Sequence, residues 1–458
     1  MIIRARRAAF GTILVAITLA AACSGHATSV APALGLGKLA YVQAGDIWLK
    51  ALPDGAPQRI THGGLVSTPK WSPSGEWLLY KSGDQARVIR ADGTDGRALN
   101  GTAVWAPSDD RLAVLRSDTS IVVEAADGSS PTLIVAGADV SGATTQRAGL
   151  LWSPDGKSLA YSETSRATSG PAIAIAAGLW LANLPSSGAE EPVVREIYRP
   201  DAVESKPGAP PTADSVFTLG WSPDGGAVLF GLSSGADTAD GLPLDVLRTA
   251  AASLVQVVPK QPASLLFPTW FAPAPRGDLV AIVDGGGRAS WSNKQIAVLS
   301  WAAGTLTERT SPAVAATDPA WSPDGTRLAY VAMPGAGPAV AGGDAAKAAL
   351  AQRKIWAMDA DGSNQHALTD DAAYRDEYPQ WSADGSRILF VRLDVHDNAS
   401  IWTMSSNGGE RRAVVPGFDP STLRTDAAWL GYFGHISWDN VMDWWRGAPG
   451  AADGAGAR

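Results

Sequence analysis

Few residues in this chain carry side chains that could do chemistry, and their spacing argues against a built catalytic centre. One string, Gly231-Leu232-Ser233-Ser234-Gly235, has the G-x-S-x-G order of a nucleophile elbow. That chemistry needs a strand-to-helix turn and an α/β-hydrolase domain, and only a loop-like stretch follows. The five histidines, His26, His62, His366, His396 and His435, show no H-x-H or H-x-x-x-H pairing. A metal site needs several ligands converging, so no metal and no cofactor is expected. The densest polar cluster is Asp394-Val395-His396-Asp397. With Glu163 and Arg166, in a stretch read as a long loop from 162 to 178, Asp394, His396 and Asp397 form the candidate ligand-binding set. Asp359-Ala360-Asp361-Gly362-Ser363-Asn364 lacks the order and distal Glu of a calcium loop and reads as a hairpin turn. Gly285-Gly286-Gly287 has no following helix to bind phosphate.

The elements that must position these residues are announced by a repeat. Trp-Ser-Pro-Asp-Gly, or a worn form of it, begins at Trp71, Trp105, Trp152, Trp221, around Trp270 and Phe271, and at Trp321 and Trp381. Each copy is a strand end, a tight turn and an alternating run such as Arg327-Leu328-Ala329-Tyr330-Val331. Gly supplies the positive φ that such a turn needs. A second strand and a second Asp-Gly-type turn follow, making four strands per unit. Trp71, Trp105, Trp152, Trp221, Trp321 and Trp381, with Asp155, Asp224, Asp324 and Asp384, are therefore structural repeat residues. The fold class is all-β, a β-propeller of eight four-stranded blades, or seven if the Trp105 unit merges with a neighbour. A C-terminal strand must close the ring to leave no open edge, and Asp426–Leu430 is the candidate. Long insertions fall between second and third strands or between blades, which places them on one face and marks it as the expected binding surface. Residues 344–354, Ala-rich, read as a short helix there.

The pattern W-S-P-D-G-x-x-L-A-Y … I-W-x-M-x-A-D-G … L-T, clearest at residues 321–369, resembles the TolB-type WD-like propeller repeat over roughly residues 37–430. The resemblance implies a propeller and, among its known bearers, envelope proteins, lipoproteins, propeller lids of serine peptidases and some pectin-fragment lyases. The chain differs from TolB in having no α/β domain ahead of the propeller and more than six blades.

Arg4, Arg6 and Arg7 precede an apolar run, Ala8 to Ala22, with the form of an export signal. The single cysteine, Cys23, follows Leu19-Ala20-Ala21-Ala22 and resembles the lipidated cysteine of a bacterial lipobox. Expected domains are a lipoprotein signal peptide (1–22), a flexible tether (23–36), the propeller (37–435), and a C-terminal cap with a disordered tail (436–458). Trp444 and Trp445 are expected to cap the ring or to form an exposed patch. The net charge is −8, and removal of the three leader arginines leaves −11. With no basic cluster beyond the leader, nucleic acid has no electrostatic footprint. The sequence predicts a non-enzymatic envelope lipoprotein, exported and anchored outside the cytoplasmic membrane (or in a periplasm or outer membrane). Its loop-rich face would act as a protein-interaction scaffold for envelope proteins. The alternative is cell-wall glycan binding, or weak lyase activity, at the channel mouth.

Overall fold

The structure is a computed structural model that describes residues 35–138, 143–167, 174–186, 190–202, 214–233, 241–256, 267–335, 343–418 and 433–447. It is an eight-bladed β-propeller, each blade a four-stranded antiparallel sheet. Blade 1 comprises Lys38–Gln43, Asp46–Ala51 and Gln58–Arg59, completed by the C-terminal strand Met442–Trp445. Blades 2 to 8 follow in chain order, with innermost strands Val66–Trp71, Thr102–Trp105, Ala143–Trp152, Ser215–Trp221, Phe271–Pro273, Val314–Trp321 and Arg375–Trp381. The Trp105 unit is thus a blade of its own, which removes the seven-bladed count.

The ring closes further along the chain than expected. Met442–Trp445 pairs with Lys38–Gln43, Leu39 opposite Trp444 and Lys38 opposite Trp445. The candidate strand Asp426–Leu430 lies outside the described residues. Propeller structure therefore extends to Trp445 rather than ending at 435, and Trp444 and Trp445 are ring-closing residues, neither cap nor exposed patch. Leu39, Ile47, Leu389, Ile401, Met442 and Trp444 bury one apolar cluster that joins the first blade to the last. The leader, Cys23 and most of the tether also lie outside the described residues.

The repeat motif explains both the turn and the blade-to-blade packing. In Ser322-Pro323-Asp324-Gly325 the Ser322 hydroxyl donates to the Asp324 carboxylate (2.6 Å) and accepts from the Arg327 amide (3.0 Å). The same pair of bonds recurs from Ser153, Ser222 and Ser382. The bond from Ser322 and those from the Thr326 amide and hydroxyl hold Asp324 at a pKa of about 2. Every motif Trp but Trp71 then reaches back one blade. The indole N–H groups of Trp105, Trp152, Trp221, Trp321 and Trp381 donate to the carbonyls of Lys70, Val104, Leu151, Ala272 and Ala320. Four of these acceptors immediately precede the previous blade's Trp. In blade 6 the Trp position is held by Pro273, so the worn motif is Pro273–Gly277 rather than a copy centred on Trp270 and Phe271.

Trp321→Phe should cost about 1–2 kcal/mol, because the half-buried Ala272 carbonyl loses its donor. Trp71 is equally buried but its indole nitrogen has no partner, so Trp71→Phe should cost distinctly less. Urea unfolding midpoints of the two variants, compared side by side, check this.

The innermost strands carry a second regularity. Register shifts between Ser67 and Lys70, Thr317 and Ala320, and Glu377 and Gln380 mark a bulge three residues before each Trp. Thr68, Asp318 and Tyr378 take left-handed φ values of 55°, 51° and 57° there. A proline follows each (Pro69, Pro319, Pro379), tolerated because a bulge needs no ladder donor. The bulge turns the side chain of Asp318 and of Tyr378 into the central channel.

Motif turns and the turns between third and fourth strands share one face of the ring. The connections between second and third strands, and between blades, share the other. Blades 8, 1, 2 and 3 cross the second face with short links (393–399, 43–46, 82–85 and 115–121), while the longer ones belong to blades 4 to 7. Residues 162–167, read as loop, are instead strand: Ser158–Ala167 pairs with Ala174–Asn183 in a ten-residue hairpin. The expected helix is present at Gly343–Leu350, with Ala346 and Leu350 packed against Trp291 and Met333.

Candidate functional site

Two features meet at the ring centre: a polar anchor that holds the C-terminal segment in the channel, and a cavity beneath it. Phe433 to Asn440 runs in from the loop-bearing face and turns at Trp438–Asn440 into the closing strand. Arg353, which follows the short helix, donates to the Gly434 carbonyl (2.7 Å), to the Ser290 hydroxyl (2.7 Å) and to Glu377. Arg375 donates to the same Glu377 oxygen (2.6 Å) and to Gly434 (3.1 Å). The other Glu377 oxygen accepts from the Trp438 indole (2.7 Å), and Ser290 donates to the Phe433 carbonyl (2.8 Å). On the far side Thr68 bonds the Asn440 side chain and Lys70 donates to the Asp439 carbonyl. Blades 2, 6, 7 and 8 thus grip one segment.

Electrostatics follow from burial. Burial alone would raise the Glu377 carboxyl, but the charges of Arg375 and Arg353 outweigh it and hold the pKa at about 2. His435 is buried against Phe267, stacked with centroids 3.7 Å apart, and edge-on to Trp270 at 5.2 Å. Burial, then the Arg353 charge, lowers its pKa to about 3, so it is neutral across the physiological range.

Below the segment lies a cavity of about 910 Å³ that reaches the motif-turn face, where Pro275, Arg276, Pro323 and Ala383 line it. Deeper, Asp318, Tyr378, Gln380 and Asp439 face it, with Lys70 and Arg446 at the sides. Asp318 is buried and accepts from Thr269 (2.8 Å) and Thr317 (2.9 Å), and among the described residues no cation forms an ion pair with it. Burial first, and the nearby Glu377 charge second, raise its pKa to about 6. Burial raises the Tyr378 hydroxyl well above its usual range, as do the surrounding carboxylates of Asp439, Asp443 and Asp318.

The candidate residues read from the sequence do not gather here. Asp394 caps its own turn, accepting from the amides of His396 and Asn398 and from the Asn398 side chain, which lowers its pKa. His396 is exposed and Asp397 lies in the same turn with φ 60°. Glu163 pairs with Arg147 (2.8 Å) on blade 4, across the ring from blade 8, and Arg166 is further along the Glu163 strand. Ser233 ends the strand Ala227–Ser233. In the Asp359–Asn364 turn, Asp361 accepts from Ser363, and among the described residues no His, Cys, Asp and Glu cluster has the makings of a metal site. The carbonyls of Gly286 and Gly287 accept from the buried Lys294 ammonium. Asp318, Tyr378, Glu377 and His435 were missed. The signal that could have found the first two is a proline two residues before the motif Trp, which marks the residue ahead of it.

No family model matches the chain, and no curated protein matches it. Among solved structures, Porphyromonas gingivalis dipeptidyl peptidase 4 is 10% identical with a TM-score of 0.53, over 82% of this chain and 57% of that one. This chain therefore spans little more than half of that peptidase. A TolB structure from Agrobacterium tumefaciens is 16% identical with a TM-score of 0.34, over 84% of this chain and 92% of that one. A TolB from Acinetobacter baumannii is 15% identical with a TM-score of 0.32, over 72% and 62%. The likeness to the peptidase shows the propeller fold alone.

Proposed function

We propose that this chain is a non-catalytic interaction scaffold of the cell envelope, exported and held at a membrane through Cys23, and that it engages its partner at the motif-turn mouth of the channel. One observation carries the choice of face. The mouth on the loop-bearing side is occupied by the chain's own Phe433–Asn440 segment, while the opposite mouth opens into a cavity of about 910 Å³. The expected binding surface therefore moves from the loop-rich face to the turn face. Rigid strands from several blades converge at that mouth, which is how a ring presents a pre-formed site. The described chain also enters there: the Lys38 ammonium donates to the Gly75 carbonyl of a motif turn (3.0 Å) and lies 5.0 Å from the Trp445 ring centroid.

In-cell photo-crosslinking tests the reading, with the crosslinker at position 276 on the turn rim or at 396 on the opposite face. A single envelope protein captured from 276 and not from 396, and diminished in a Cys23→Ser background, is the expected result. Capture from 396 alone would return the site to the loop face. The second reading, a glycan ligand, is favoured by Tyr378, Trp321 and Trp381 sharing the cavity with Asp318 and Asp439. Retained glycan with no protein adduct would select it.

A further inference from the structure

The deep end of the channel cavity has acceptors without donors. Asp318 is 7% exposed, held in a left-handed bulge, and bonded only by two threonine hydroxyls. Tyr378, 9% exposed, occupies the equivalent bulge of the next blade and lines the same cavity. Gln380 Oε1 and Asp439 Oδ1 are buried and have no hydrogen-bond partner. Native structures rarely leave such atoms unsatisfied, and each exception calls for a cause.

Among the described residues no nearby cation forms an ion pair with Asp318, although the Arg353 charge reaches it. Lys70 donates to the Asp439 carbonyl (3.0 Å) and lies 3.9 Å from its carboxylate. Arg446 sits 5.6 Å from the Trp444 ring centroid. Arg353 and Arg375, behind the cavity wall, share Glu377. Arg276 belongs to the motif turn at the rim. A left-handed non-glycine residue costs on the order of 1 kcal/mol, and such strain gathers at binding sites.

We propose that the Asp318 end of the channel is a binding site for a protonated amine or guanidinium group that enters from the motif-turn mouth, ion-pairs with Asp318, and is shared by Tyr378, Gln380 and Asp439. The site rests on the turn-side mouth being the binding surface, and it names the chemistry the partner must offer there. A cation supplies the donors these acceptors lack, and the Tyr378 ring offers it a π face. The cavity, at about 910 Å³, is larger than one amine needs and has room for the rest of a peptide segment that carries it. Ionisation of Asp318 is required, so binding tightens as pH rises through about 6. The charges that act on this titration are Glu377, which raises it, and Arg353, which lowers it; Arg375 shares Glu377 with Arg353, and Tyr378, Asp439, Lys70 and Arg446 are the other titratable groups around the cavity.

Isothermal titration of the purified chain tests it, with 1,5-diaminopentane, blocked lysine amide, 1,5-pentanediol and glutarate as probes. The two amines should bind at pH 7.5, more weakly at pH 5, and the diol and the diacid should not. Asp318→Asn should weaken amine binding about tenfold to a hundredfold and abolish its pH dependence, the scale of a lost charged hydrogen bond. Tyr378→Phe should fold and weaken binding less. Tighter binding of the blocked lysine assigns the group to a partner's side chain, and tighter binding of the diamine to a free amine. Both results support the site. Equal binding of the diol, no binding of either amine at millimolar concentration, or an unchanged Asp318→Asn variant would overturn it. A partner crosslinked at position 276 as strongly in Asp318→Asn as in the parent would leave the scaffold reading standing while this one fell.

Discussion

Glu377→Ala is expected to lower the stability of the chain by about 3–5 kcal/mol, the scale of breaking a buried ion pair from one side. The side chains of Glu377 and Arg353 are 3% and 2% exposed, so neither guanidinium nor indole can turn to water when the carboxylate is removed. Arg353 and Arg375 would be left as like charges around the Gly434 carbonyl, and the Trp438 indole would lose its acceptor. Arg353, Arg375 and Glu377 are among the residues that hold the segment leading to the closing strand, so the loss extends beyond one pair to the first blade's fourth strand. The dependence on pH has a definite sign. The folded pKa of about 2 lies below the ordinary glutamate value, so Glu377 contributes fully above about pH 4.3 and loses its contribution as pH falls towards 2. Chemical unfolding at pH 7 and at pH 3 checks both statements. The gap between parent and variant should be largest at pH 7 and narrow in acid. A variant within 1 kcal/mol of the parent at pH 7 would mean that the segment is held by its apolar contacts alone.

How much of this was legible follows from how local each signal is. The W-S-P-D-G turn could be read because its bonds join residues two to five apart, as Ser322 to Asp324 and Arg327 do. Blade number could be read for the same reason, once each of the seven motif copies is counted as a blade and the motif-free first strands as an eighth. The closing strand could not. Met442–Trp445 is four residues long and includes Asp443, whose carboxylate accepts from the Trp71 amide on the neighbouring blade. Only the closed ring supplies that partner, whereas Asp426–Leu430 looks more like a strand in isolation. The candidate ligand set failed to gather for a related reason. Asp394 and His396 are dense in sequence because they build an Asx turn, a local use of polar residues that competes with any binding role. The residues that do meet in the cavity come from separate repeats, Asp318 from one blade and Tyr378 from the next, with Asp439 from the C-terminal segment. Nothing in their own neighbourhoods reveals the convergence, although Asp318-Pro319 and Tyr378-Pro379 mark the bulge that aims the first two. His435 was visible as a residue, but its burial against Phe267 and Trp270 depends on where the segment threads.

Asp318→Asn should make the chain more stable at neutral pH, by about 2–3 kcal/mol, the energy of a shift of roughly two pKa units. The folded pKa of about 6 lies above the ordinary aspartate value. The folded state therefore binds the extra proton between about pH 4 and 6, and its stability falls over that window as the buried carboxyl is forced to ionise. Above pH 6 the fold carries a desolvated charge that faces Glu377, and the charge of Arg353 offsets this only in part. Asparagine has no charge to bury. Its carbonyl still accepts from Thr269, and the Thr317 hydroxyl can rotate to accept from the new amide. At pH 4, where the parent residue is itself largely neutral, the advantage should vanish. Thermal or urea unfolding at pH 4 and pH 7.5 measures both ends of the window. A variant less stable than the parent at both pH values would show that the carboxylate is satisfied within the fold. Gain at pH 7.5 alone would identify Asp318 as a residue retained at a cost to stability, which is the behaviour of a side chain kept for what it binds.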